Sequence, residues 1–127
     1  MLYIYFNESY QEIFRNYIKK DENVSKIRIL IDMEVKSISE LFQYCKIKKV
    51  IFIKFNRTDF IDMSFMFECC ESLKELDIMK VKTDNVINMG GTFWNCLSLK
   101  ELDLSNFKTG KVKNMSWMFR DCSKLEK

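Results

Sequence analysis

The chain contains no histidine, only three glycines, and no apolar run long enough to cross a bilayer as a helix. The first absence removes the commonest general base, the base of the serine-type triad and the commonest zinc ligand together. A glycine-rich phosphate loop is missing as well, and no pair of carboxylates stands apart from the rest of the pattern. Catalysis is therefore not expected, and no cofactor or metal is predicted. A membrane-spanning helix needs about 18 or more consecutive apolar residues. The opening MLYIYFNESY lacks the basic flank of a secretory signal and is too aromatic for one. The expected location is the cytoplasm, or the cell surface if the chain is a fragment of a longer exported protein. Charge of one sign is also scarce. The net charge is +3, with eleven Lys or Arg against seven acids in residues 1–57 and ten against eleven in 58–127. So small an excess predicts no nucleic-acid footprint.

What is present is apolar mass in a repeating order. Nearly half of the 127 residues are hydrophobic, including eleven phenylalanines and eight methionines, enough for one domain to bury a core without metal or disulfides. Written in registers of 26, Glu75–Lys100 aligns with Glu101–Glu126 at eleven identical positions, among them Leu76/Leu102, Asp77/Asp103, Val86/Val112, Asn88/Asn114, Met89/Met115, Phe93/Phe119 and Cys96/Cys122. One repeat earlier the residue types persist as Val50, Phe52, Phe55, Phe60, Met63, Phe67, Cys70 and Leu73. A worn copy runs Val35, Ile38, Leu41, Phe42, Cys45 and Ile47.

Each unit has two halves. KELDI and KELDL alternate apolar and polar residues at strand period. NMSWMFRDCSKL places Met115, Met118 or Phe119, and Cys122 three and four residues apart, which predicts a short helix capped by Asn114, as Asn88 and Asp62 would cap its counterparts. A strand and a short helix cannot bury their apolar sides alone, whereas stacked units can. The expected fold class is α/β, a short leucine-rich-repeat-like solenoid with parallel strands on one side and short helices on the other. Residues 32–127 would hold about four repeats. Residues 1–31 would form a cap with a helix in ESYQEIFRNYIKK, its Ser9 and Glu12 making a capping box, followed by a first strand in KIRILI, with LYIYF as a further strand.

The motif spanning Met63–Cys70, Ser72–Lys74 and Leu102–Cys122 resembles the BspA-like leucine-rich repeat of surface proteins, and the resemblance covers about residues 35–127. It implies a right-handed α/β solenoid and a role in protein binding or adhesion.

Cys45, Cys70, Cys96 and Cys122 hold one place in successive repeats, which reads as a small apolar filler. Spacings of 25 and 26 do not make a clustered zinc site. Cys69 breaks the pattern and is expected to point outward, the one thiol open to modification. Phe65, Trp94 and Trp117 are candidate exposed anchors, or else they shield the edge of the core. If Leu76, Ile78, Leu102 and Leu104 point inward, Glu75, Asp77, Met79, Glu101, Asp103 and Ser105 point outward, as do Lys49, Ile51 and Ile53 and, before them, Lys26, Arg28 and Leu30. The outer face then runs from basic through apolar to acidic, a gradient suited to a protein or peptide of complementary charge. The candidate binding residues are Lys49, Ile51, Asp77, Met79, Asp103 and Ser105. The last repeat would leave Leu102, Leu104, Phe107, Val112, Met115 and Phe119 uncovered on one side. A homodimer through that uncapped end, or a longer array, follows as the second expectation. The first is a non-catalytic protein-interaction module.

Overall fold

The computed structural model describes residues 2–6, 26–31, 37–55 and 59–126. Four strands form one sheet in the order β1-β2-β3-β4: β1 Leu2–Phe6, β2 Lys26–Ile31, β3 Lys49–Phe55 and β4 Glu75–Asp77. β1 pairs antiparallel with β2, and β2, β3 and β4 run parallel. The register sets Lys26, Lys49 and Glu75 in one row and Arg28, Ile51 and Asp77 in the next. A shift between Ile29 and Leu30 then brings Leu30 opposite Lys54 rather than Ile53. LYIYF is thus a strand, while the predicted helix of ESYQEIFRNYIKK and Val35 lie outside the described residues.

The predicted α/β solenoid with short helices is overturned. Among the described residues there is no helix, and the parallel pairing of β3 with β4 covers only three residue pairs. KELDL at 100–104 forms no strand. In place of each helix stands a run of tight turns. Glu68 N–H donates to the Phe65 carbonyl, Cys70 to Phe67 and Leu73 to Cys70, at 3.0–3.1 Å, and the same three-residue reach recurs one repeat on at Trp94, Cys96 and Leu99. Left-handed backbone recurs every four residues within the runs, at Glu40 and Tyr44, Phe65 and Cys69, Gly91 and Asn95, and Trp117 and Asp121. A helix cannot contain such residues.

Hydrogen bonding supplies the physical reason. A helix would spend every amide on its own carbonyls. Here the amides of Phe65, Phe67 and Cys69 donate to the carbonyls of Gly90, Thr92 and Trp94 in the next coil, and those of Gly91, Phe93 and Asn95 to Ser116, Met118 and Arg120, all at 2.8–2.9 Å. Successive coils are therefore stitched together through the segment expected to be helical. Parallel bridges Ser37↔Asp62, Asp62↔Asn88 and Asn88↔Asn114 hold the same stack beside it. The predicted capping residues start turns instead: Asp62, Asn88 and Asn114 each accept, through Oδ1, the amide two residues on at 2.9–3.0 Å. The Asn114 side-chain amide also donates to Asn88 Oδ1 at 2.9 Å.

The core lies between the sheet side and these turns. Phe42, Phe67, Phe93 and Phe119 stack in a row, with centroids 5.2, 5.8 and 5.5 Å apart and rings within 14° of parallel. Beside it runs a row of free thiols. Cys70 Sγ donates to the Phe42 carbonyl at 3.0 Å, Cys96 to Phe67 at 3.2 Å and Cys122 to Phe93 at 2.9 Å. Three of the four repeated cysteines thus link their coil to the one before, which adds a polar role to the filler predicted from spacing.

Candidate functional site

On the sheet side the alternation of side chains sends Glu75, Asp77, Met79, Glu101, Asp103 and Ser105 to the exposed surface, while Ile78 is fully buried and Leu76, Leu102 and Leu104 pack half-buried on the core. An open groove of about 790 Å³ runs across the rows. Lys49, Ile51, Asp77 and Asp103, four of the predicted contact residues, line it with Glu75, Leu76, Glu101, Leu102, Lys74 and Lys100. Its floor is apolar at Ile51, Leu76 and Leu102, and Lys49 is ion-paired to Glu75 across the coil boundary. Met79 lies outside it, in a second depression with Lys82, Asp84, Asn85, Asn106 and Lys108. Ser105 lines neither.

Asp77 and Asp103 have a structural role as well. Asp77 Oδ1 accepts the Met79 amide at 3.2 Å, and Asp103 Oδ1 accepts the Ser105 amide at 2.9 Å. Each holds the turn after the sheet row and also lines the groove. Alternation along the chain sends Glu75 and Glu101 outward as well, although they were not among the predicted contact residues; the lysines beside them, missed by spacing arguments that followed only every second residue, are Lys74 and Lys100. Lys74 and Lys100 begin the repeated KELD words, which was the available signal.

On the turn side the three predicted anchors converge. The Phe65 ring lies 6.5 Å from Trp94, and Trp94 lies 5.5 Å from Trp117, which is 56% exposed. Arg120 places its guanidinium 5.6 Å from the Trp94 ring and 5.8 Å from the Trp117 ring. Asp121 accepts from Trp94 Nε1 at 3.2 Å and sits 3.5 Å from Arg120 Nε. Arg120 occupies the repeat position of Trp94 and Glu68, so the repeat alignment already marks it.

Gly91 shows why this cluster has its shape. It takes φ 61°, yet Phe65 and Trp117, at equivalent positions, take φ 54° and 60° with bulky side chains. Backbone conformation alone does not demand glycine there. Space does: a Cβ on Gly91 would sit 2.5 Å from the Phe65 ring. Gly91→Ala is expected to cost about 2–3 kcal/mol in urea unfolding, from left-handed strain plus overpacking. In a Phe65→Ala background the cost should fall to about 1 kcal/mol, leaving the strain alone. An equal cost in both backgrounds would refute the steric account.

The chain belongs to the family described as Mycoplasma protein of unknown function, DUF285, whose model matches residues 36–127. No curated protein and no solved structure matches it. Among the described residues no helix is long and apolar enough to cross a membrane.

Proposed function

We propose that this chain is a non-catalytic protein-interaction module that takes a peptide segment into the sheet-side groove. The observation that carries this reading is the convergence of Lys49, Ile51, Asp77 and Asp103 on one open groove with an apolar floor and charged walls. The four carboxylates of Glu75, Asp77, Glu101 and Asp103 favour basic side chains in the ligand, and Ile51, Leu76 and Leu102 favour an apolar one between them. The likeness to the BspA-like repeat, with its implication of protein binding, supports the same reading.

The test begins with selection of peptides from a displayed random library on the immobilised chain, followed by titration of the best binder. Enriched peptides should carry Lys or Arg beside an apolar residue. Glu75→Lys/Glu101→Lys should weaken binding about tenfold or more. Asp77→Asn/Asp103→Asn keeps the oxygen that accepts each turn amide, and so removes charge without removing the turn. It should weaken binding in the same direction. Absence of enrichment, or affinity unchanged in both variants, would refute the groove as the binding site.

A further inference from the structure

A second face, built by residues 79–87 and 105–113, is basic, unlike the groove. It exposes Lys80, Lys82, Lys108, Lys111 and Lys113 against the single carboxylate of Asp84. The groove is lined by three lysines and four carboxylates. Lys82 and Lys108 hold the same place in successive repeats, and both line an open depression of about 500 Å³. Hydrogen bonds fix its walls. Asn106 Nδ2 donates to the carbonyls of Met79 and Val81, and Thr83 Oγ1 exchanges bonds with the Lys108 backbone. On the same rim Lys111 Nζ donates to Asn85 Oδ1. None of the five lysines is ion-paired within the described residues. Gly110 stands where the previous repeat has Asp84. A Cβ on it would meet nothing within 4 Å, so packing does not exclude a second carboxylate there.

Exposed aliphatic side chains flank these lysines. Met79 is 42% exposed at one side, and Ile61 and Ile87 are 47% and 36% exposed at the other. The two isoleucines form one row, the Ile87 amide donating to the Ile61 carbonyl at 2.8 Å. Their coils each have a described neighbour on both sides, through the bridges Ser37↔Asp62, Asp62↔Asn88 and Asn88↔Asn114. Their exposure is therefore lateral and does not arise at an end of the stack.

We infer that this face is a docking surface for an anionic lipid bilayer, with headgroup phosphates over Lys82, Lys108 and Lys111 and with Met79, Ile61 and Ile87 entering the headgroup boundary. Single exposed aliphatic residues are ordinary on a protein surface. Here they border unpaired cations, and that combination is the one an anionic interface rewards. The cations are all lysines, compact and strongly hydrated charges on flexible stems. Residues 79–87 and 105–113 contain no arginine to grip a protein carboxylate in a fixed fork. Each lysine close to an anionic leaflet raises affinity about fivefold. The proposal is independent of the groove, whose charge is of the opposite sign.

The test is cosedimentation of the full chain with vesicles. It should pellet with vesicles of phosphatidylglycerol and phosphatidylcholine and stay in solution with phosphatidylcholine alone. Lys82→Gln/Lys108→Gln should weaken binding about tenfold or more. Lys46→Gln/Lys124→Gln removes the same charge from exposed lysines outside this face and should change it less than twofold. Gly110→Asp should weaken binding about fivefold, and Ile61→Ser/Ile87→Ser should do the same at unchanged net charge. All four variants alter exposed residues, and urea unfolding checks that each still folds. Absence of vesicle binding, equal weakening by the two lysine pairs, or affinity unchanged in the isoleucine variant would each overturn the inference. So would retention on immobilised polyglutamate, but not on vesicles, with the same dependence on Lys82 and Lys108, which would assign the face to an acidic protein.

Discussion

Phe93→Ala is expected to lower the stability of the fold by about 4 kcal/mol. A buried phenylalanine truncated to alanine costs about 3–5 kcal/mol through lost transfer energy and the cavity left behind. Phe93 is at 0% exposure and has a ring stacked on each side, Phe67 at 5.8 Å and Phe119 at 5.5 Å. Each stacked pair adds about 0.5–1.5 kcal/mol beyond area burial. The flanking amide of Phe93 donates to the Met118 carbonyl at 2.9 Å, and its carbonyl receives the Cys122 thiol, so the surrounding backbone is held and collapses little into the space. Phe119→Ala provides the contrast. It removes the same side chain at 42% exposure, with one stacked neighbour, and should cost less than half as much. Urea unfolding of both variants checks the difference. Equal losses would mean that the row does not share its energy as the exposures require.

The period of the chain was legible in its sequence, and so was the recurring part of its core, though not buried Met66, Val81 and Thr92. Phe60, Met63, Phe67, Cys70, Leu73, Val86, Met89, Phe93, Cys96 and Leu99 recur at 26 residues, and all are at 0–1% exposure. The secondary structure was not legible to the same degree. Spacings of three and four between Met115, Met118, Phe119 and Cys122 suit a helix, but they suit equally a chain that turns tightly and returns to the interior every third or fourth residue. Apolar spacing records which side chains face inward. It does not record whether an amide bonds within its own coil or to the next, and that choice decided the fold here. The left-handed residues carried little warning. Phe65, Cys69 and Trp117 are residues seldom found at positive φ, and only Gly91, Asn95 and Asp121 are types that favour it.

The candidate groove was legible in part, because period-two alternation correctly sends Asp77, Met79, Asp103 and Ser105 outward. It does not say which outward residues share a concavity. Strand character ends at Asp77, and beyond it the coils are joined by side chains. Asn106 Nδ2 donates to the carbonyls of Met79 and Val81, both at 2.9 Å, and Thr83 Oγ1 exchanges bonds with the Lys108 backbone at 2.7 and 3.1 Å. These contacts turn the chain away from the sheet row and place Met79 in a separate depression, leaving Ser105 on the open surface between turns. Recurrence of Asp at 77 and 103 had a structural cause besides any functional one, since each carboxylate closes the turn that follows it.

Alkaline solution should weaken the fold through the thiol row. Burial pushes the Cys96 thiol from its ordinary 9.0 up to about 12, helped by the neighbouring Cys122. It likewise pushes Cys45 to about 11 and raises Cys70 strongly. A thiol whose pKa rises on folding is bound more tightly to its proton in the native state. Its contribution is therefore complete below the pKa of the unfolded thiol, near 9, and is lost as pH climbs through the folded value. For Cys96 the loss between pH 8 and pH 11 is about 2–3 kcal/mol; Cys45, which water partly reaches, adds less. Urea unfolding across that range should show the decline. Cys96→Ala should be less stable than the parent at pH 8, having lost a hydrogen bond to the Phe67 carbonyl and some packing, yet its decline toward pH 11 should be shallower by about 2 kcal/mol. Parallel declines in the two proteins would assign the alkaline weakening to groups other than the Cys96 thiol, whose role would then be packing and hydrogen bonding alone.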